Sequence, residues 1–553
     1  MGDENINIGR NALGKLDPAN KNSVFSDGGP VRTFGWQLVK AVIAALVVVI
    51  YSRGMGAYGR GALSVLLLYL QLTLMVSEVV AGGALANLLT KYSVRRILPT
   101  AWVFLLLVLC IAYLIGWFVW VIPNAGKYPI CLDHPKVITL NLLFFQGLFL
   151  GGLNIQYNLY QAQGWVNQRN RLQVSMEVLK LLGLLLCFEA MYGFIIPKNA
   201  AIELSVSMHI AERLMDGQTL HYLHGFNEMA ILWILVYASG LVWVYSLWQS
   251  RSLFKGGAMQ SIQSSPQEMG QSRHGSNNGS FWSSIQPPKK MFNIGFLSQL
   301  GHILLFLLYR LPLWWMAAQF GNSEAGLLAN ALLIADTIWI FGNSYGTILH
   351  SRMLVSSGSL SGDRNNGDES ALASQQRKFQ KLLSRYVFIS SSGTLLAVLA
   401  AMLVPNALYI FVFGETFSGL KETLFMISPA VIFLGISAPI GHYLHAQNRF
   451  KGLIVSYGSA VVVLVVLWFG VDWFTWQTIN GINRFEMPKA VQDTGILSPG
   501  LFLRMISIFG KFMAVNLAFL VLLFLNYRQV KHILRFRANV FILLRFVRRY
   551  FDK

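Results

Sequence analysis

Uninterrupted apolar stretches of about 20 residues recur along this chain, and no other feature restricts its fold so strongly. A helix rising 1.5 Å per residue needs roughly that many residues to cross a hydrocarbon core of ~30 Å. In hydrocarbon every backbone N–H and C=O must be bonded within the protein, which leaves helices or a closed barrel. Barrel strands would be about ten residues long and alternate in character, unlike these runs. Twelve spans are expected, at about 33–51, 62–90, 98–122, 136–158, 173–194, 227–249, 293–319, 325–350, 382–404, 422–445, 450–471 and 501–526. Apolar residues make up 54% and charged residues 12% of the 553, against about a quarter charged in soluble domains. The reading is an all-α polytopic membrane protein.

The spans fall into two halves that share a pattern. Gly56 and Gly61 close a short connection after the first span, and Gly321 and Gly326 close one after the seventh, each pair five residues apart. Phe149-Leu150-Gly151 is followed, thirteen residues after its Phe, by Ala162-Gln163. Phe433-Leu434-Gly435 is followed at the same interval by Ala446-Gln447. The offsets, 265 and 284 residues, differ by the length of a loop insertion. Six spans per half keep the halves in one orientation, so the expected pseudo-twofold is parallel to the membrane normal. The expected organisation is a polar cytoplasmic amino terminus (1–32), a six-helix lobe (33–249) and a flexible Ser/Gln/Gly/Asn-rich linker (250–290). A second six-helix lobe (291–526) and a basic amphipathic helix (527–553) complete it. Two homologous halves in a bilayer suggest an alternating-access carrier with its site between them.

Most of the 44 Lys and Arg fall on segments that lie inside when both termini are cytoplasmic. The formal charge of +20 therefore reads as topology and contact with anionic phospholipids, not nucleic-acid binding. The carboxy-terminal helix would lie on the inner surface, where it anchors to lipid or docks a biosynthetic partner. Three cysteines offer no expected disulfide and no metal-ligand cluster, and no phosphate-loop motif is present. No cofactor is expected.

Ionisable groups within spans are costly unless they face a partner or a cavity. Arg310 falls near the middle of the seventh span, two residues before Pro312, which would kink the helix as a hinge. Its planar guanidinium suits a phosphate, or alternatively a static pair with Asp336. Lys40 and Lys180 either line a cavity or extend to the inner headgroups, and Glu177 is a ready local partner for Lys180. Lys511 is placed deeper. Glu78 suits a coupling proton or cation, or a structural pair with Lys40. Its counterpart 22 residues past the first glycine, Asn343, is uncharged, and Asp336 matches Gln71, so the halves differ chemically.

Three stretches, Tyr51 to Tyr92, Ala318 to Arg352 and Pro405 to Val461, resemble the Wzx-like polysaccharide flippases of the multidrug/oligosaccharidyl-lipid/polysaccharide (MOP) exporter superfamily. The last stretch carries Phe413-Gly414-Glu415-Thr416-Phe417, a span with Pro429 and Pro439, and Ala446-Gln447-Asn448-Arg449-Phe450-Lys451-Gly452. The resemblance implies a pair of six-helix lobes, as in MATE exporters, around a cavity opening to each side in turn. It also implies a substrate, undecaprenyl-pyrophosphate-linked oligosaccharide, moved outward across a bacterial inner membrane for polysaccharide biosynthesis. Lys40, Lys180, Arg310 and Lys511 are the positions that would meet the pyrophosphate, and a polysaccharide polymerase is an implied partner. The first rival is a cation-coupled multidrug exporter on the same fold. The second is a membrane glycosyltransferase or polymerase, which the loop 52–61 disfavours, since it holds Arg53 and Arg60 but no carboxylate. No catalytic residue is expected.

Overall fold

The computed structural model describes residues 28–81, 85, 94–121, 135–162, 166–192, 217–255, 289–360, 369–447, 449–482 and 499–534. Most of the expected amphipathic tail helix, of the polar amino terminus and of the linker, and much of the loops 195–226 and 472–500 lie outside these residues, while 527–534 continue the last helix. The architecture is all-helical. In chain order the helices are α1 (Gly28–Ala81), α2 (Val94–Gly116), α3 (Pro135–Ala162), α4 (Val166–Tyr192) and α5 (Gly217–Lys255). There follow α6 (Lys289–Phe320), α7 (Asn322–Leu360), α8 (Glu369–Leu403), the short α9 (Asn406–Phe413), α10 (Leu420–Ala446), α11 (Phe450–Ile482) and α12 (Pro499–Leu534).

Ten of the described helices are long and apolar enough to cross a membrane. Two differences from the twelve expected spans have physical causes. The first two spans lie on one helix, α1, which turns at Gly56 with φ 65° and ψ −176°. The fifth span, on α4, has the length but is too polar to qualify, because Arg169, Arg171, Glu177, Lys180 and Glu189 are spread along it.

The described residues pack as two compact units. The first is drawn from Met1–Ile303, Met316–Gly326 and Ile410–Phe417, the second from Leu304–Trp315, Leu327–Tyr409 and Ser418–Lys553. In the first unit both limbs of α1 supply core residues, Tyr51 and Met55 before the bend and close to it, Leu63, Leu70 and Leu74 after it. They meet Leu142 and Leu143 of α3, Leu184 of α4, and Ile231, Leu232 and Val236 of α5. In the second unit Trp468, Tyr443 and Phe519 are almost fully buried. Large apolar side chains also cover the outer faces, among them Leu114, Phe118, Leu186, Leu396, Leu403 and Val462. Helices apolar on every side suit lipid on one face and protein on the other.

Close approach in such a bundle depends on small residues. A Cβ on Gly151 would stand 2.4 Å from Leu105 Cδ1 of α2, and one on Gly435 would stand 2.4 Å from Thr394 Oγ1 of α8. These two glycines are the repeat-related pair, so each half seats its fourth span on its third through the same missing side chain. In the second unit Asn516 repairs α10 just after Pro429. Its amide donates to Met426 O at 2.8 Å and accepts from Ala430 N at 2.9 Å, bridging the two ends of one opened helical bond.

Candidate functional site

Of the four cations expected to meet one anionic group, the structure places Lys40 and Lys180 in the first unit and Arg310 and Lys511 in the second. In the first unit α1 and α4 lie side by side. Gln37 Nε2 faces Gln173 Oε1 at 3.4 Å and Asn170 Oδ1 at 3.5 Å. Lys180 Nζ donates to Glu177 Oε1 at 2.9 Å, the expected local pair. The charges that act on Lys40 are Glu177, Lys180 and Arg169. Glu177 thus bonds Lys180 and attracts Lys40, while Arg169 and Lys180 both repel Lys40. Tyr157 of α3 borders the same Glu177 and Arg169. Its hydroxyl and Asn170 Nδ2 are buried polar atoms with no hydrogen bond among the described residues. Such orphaned donors carry a penalty that an acceptor would remove.

Glu78, on the second limb of α1, is not paired with Lys40. Asn154 Nδ2 of α3 donates to its Oε1 at 2.9 Å, and Gln299 Nε2 of α6 donates to its Oε2 at 3.2 Å. All three residues belong to the first unit.

In the second unit both remaining cations sit in ion pairs. Arg310 NH2 lies 2.6 Å from Asp336 Oδ2, with the guanidinium over the Tyr309 ring at 4.9 Å. This is the static alternative foreseen for Arg310. Pro312 lies inside α6, which continues as helix to Phe320. Lys511, 2% exposed, lies 2.6 Å from Asp472 Oδ1 and 5.0 Å from the Trp468 ring, which Trp315 backs at 5.0 Å. The guanidinium and the ammonium are therefore each held by a carboxylate and an aromatic face.

The repeat-related glycine pairs meet each other inside the first unit. A Cβ on Gly61 would stand 1.8 Å from Asn322 O, and one on Gly326 would stand 1.8 Å from Ala57 O. Gly56 and Gly321 both adopt positive φ, at 65° and 95°, so the bends also favour glycine. Thr416 Oγ1 accepts from Ala57 N at 3.2 Å, and Arg53 donates to Phe411 O at 3.2 Å. The short connection in the Pro405–Ser418 region is held by Tyr409, whose hydroxyl donates to Ala401 O at 2.7 Å. Burial raises that phenol above its usual pKa, so it remains a donor well into alkaline solution.

Asn154, Gln299, Arg169 and Asp472 were not among the expected site residues. Neutral amides within apolar runs leave only a faint sequence signal, and Arg169 and Asp472 fall at the ends of expected spans, where charge is ordinary. Among the described residues no group of three or more His, Cys, Asp or Glu could hold a metal ion.

No protein-family model matches the chain, and no curated protein matches it in sequence. Solved structures do. The MATE multidrug transporter DinF-BH aligns with a TM-score of 0.55 at 11% identity, over 91% of this chain and 94% of that one. The eukaryotic MATE transporter AtDTX14 aligns with a TM-score of 0.53 at 12% identity, over 91% and 95%. The lipid II flippase MurJ, in an inward closed conformation, aligns with a TM-score of 0.51 at 11% identity, over 91% and 87%. Identities this low establish the fold alone: this multi-pass membrane protein has the fold of the MOP superfamily transporters.

Proposed function

We propose that the protein is a flippase that carries a lipid-linked, pyrophosphate-bearing oligosaccharide, such as an undecaprenyl-pyrophosphate repeat unit, from the inner to the outer leaflet. The observation that supports it is the gathering of Lys40, Arg169, Lys180 and Glu177 where α1 lies beside α4. A gathering of cations beside the orphaned donors of Tyr157 and Asn170 suits a phosphate ester and its sugar hydroxyls. Carrying such a headgroup through hydrocarbon unaided is prohibitive. The cell would be bacterial and the membrane its inner one, with both termini cytoplasmic, anionic phospholipids around the basic tail, and a polysaccharide polymerase downstream. The function is transport rather than catalysis.

A second reading, a cation-coupled multidrug exporter, is favoured by Glu78, since a membrane-embedded carboxylate without a fixed cation suits an organic cation. The fold supports both equally.

Reconstituted protein separates them. Translocation of undecaprenyl-pyrophosphate oligosaccharide should fall at least about tenfold in Lys40→Gln, as expected for the loss of a charge-assisted contact to phosphate. Efflux of a fluorescent organic cation with no oligosaccharide movement would establish the exporter instead. In the same assay Arg310→Gln/Asp336→Asn should transport normally. A double variant that is folded but inactive would return Arg310 to the substrate path.

A further inference from the structure

The last span of each half carries a stripe of large exposed side chains, and the two stripes have the same spacing. On α12 the stripe is Phe509, Met513, Leu517, Leu520 and Phe524, whose side chains hold no hydroxyl and no N–H. On α5 it is Trp233, Tyr237, Leu241, Val244 and Trp248, with Tyr245 beside them. All six of these are at least 41% exposed. Contact with lipid accounts for the α12 stripe, which is apolar throughout. It does not account for two phenols and two indoles on α5. From this contrast we infer that the exposed face of α5 is a self-association surface, on which two copies of this chain pair within the membrane.

Trp and Tyr are common at the two ends of a span, where their polar atoms reach the headgroups. Trp233 and Trp248 fit that rule, but Tyr237 does not. It lies near the middle of the apolar segment Ala230–Ser250, about 5 Å from the midpoint at 1.5 Å per residue. Its ring stacks on Trp233 with centroids 5.4 Å apart, yet its hydroxyl has no hydrogen bond among the described residues. Hydrocarbon offers a hydroxyl no acceptor, so leaving it unpaired there is costly. The opposite face of α5 is already committed to its own unit. Leu232, Val236, Ser239, Val242 and Ser246 are buried there, and Ser239 Oγ donates to Gln146 Oε1 of α3 at 3.0 Å.

A second copy is the occupant that these groups fit. It shares the orientation of the first in the bilayer, so two facing α5 helices run parallel and like residues meet across a twofold axis. A phenol both donates and accepts, so two Tyr237 hydroxyls satisfy one another, which a lipid chain cannot do. Tyr237, Leu241, Val244 and Trp248 follow at intervals of four, three and four residues, the spacing of a seam between parallel helices. No residue from 229 to 250 is charged, so like meets like without repulsion. At ~150–250 Å² for a large side chain, the six expose roughly 650 Å² per copy. That approaches the ~800 Å² per partner of a stable interface.

The surface is independent of the proposed substrate, and its test uses neither substrate nor transport. Full-length protein carrying donor or acceptor fluorophores is reconstituted into phosphatidylethanolamine/phosphatidylglycerol vesicles at falling protein-to-lipid ratios. Energy transfer should follow a monomer–dimer equilibrium and disappear on dilution in lipid. Tyr237→Phe, which removes only the hydroxyl, should weaken association about fivefold. Trp248→Ala should weaken it at least about tenfold. Phe524→Ala, at the matching position of the α12 stripe, should associate as the wild type does. Should Trp248→Ala not purify, the mild change Val244→Cys, combined with Cys110→Ser, Cys131→Ser and Cys187→Ser, should give a disulfide-linked dimer on oxidation. Absence of energy transfer at every ratio overturns the surface. So does a dimer that Tyr237→Phe and Trp248→Ala leave unchanged, or that Val244→Cys does not cross-link, since it would form elsewhere. A monomer that retains a lipid, lost in Trp248→Ala, also overturns it and makes the occupant that lipid.

Discussion

The second and fourth spans of the first half are clasped by Glu78 and Asn154, and those of the second half by Asn343 and His442, at 2.8 Å. The clasps are repeat-related: Glu78 and Asn343 each follow their bend glycine by 22 residues, and His442 stands nine residues past Phe433 as Asn158 does past Phe149. Asn154, which takes the bond in the first half, is one helical turn before Asn158. One clasp contains a carboxylate and the other contains none. The glycines did not diverge in this way, since Gly61 and Gly326 lie against each other's helices and Gly151 and Gly435 each underlie a neighbouring helix. The difference follows from what each position must satisfy. A close backbone crossing excludes every Cβ, whereas a polar side chain in a bundle needs only some partner, and an acid with an amide serves as well as an amide with an imidazole.

The largest effects should come from the retained geometry. Gly61→Ala and Gly326→Ala each place a Cβ 1.8 Å from a backbone oxygen, so each should cost roughly 3 kcal/mol or prevent folding. Thermal unfolding in detergent reads this, with Gly470→Ala, which meets nothing within 4 Å, as the tolerated control. Near-wild-type stability in both crossing variants would show that the Gly61–Gly326 crossing does not depend on its glycines.

The contrast between paired and unpaired acids is sharpened at Lys511. Lys511→Met leaves Asp472 without its cation and should cost about 3 kcal/mol, toward the lower end of such effects because Asp472 is 32% exposed. Lys511→Met/Asp472→Leu should recover most of that loss in denaturant titration. A single variant as stable as the wild type would mean that the pair is not what holds Asp472. The smallest effect belongs to the neutral clasp. Asn343→Ala removes one hydrogen bond to His442 and should cost about 1 kcal/mol in the same titration.

Much of this was legible in the residues. Runs long enough to span a bilayer admit only helices, because hydrocarbon leaves no other partner for the backbone. The spacing of Gly56 to Gly61 and of Gly321 to Gly326 exposed the duplication, since a bend and a close crossing both depend on a residue without a side chain. Arg310 and Asp336 were matched by their similar distances from one turn, and the two side chains are paired. Partners distant in sequence had no such signal. Nothing in the apolar runs indicated that Asn154 and Gln299 would meet Glu78 rather than Lys40, that Asp472 would take Lys511, or that Gly61 would face Gly326. The sequence by itself determined the class of fold, its duplication and the cost of each embedded charge, because these depend on composition and local spacing. The tertiary structure decided which charges are cancelled and which are left over, because a charge in a low-dielectric bundle is governed by the nearest atoms of other helices.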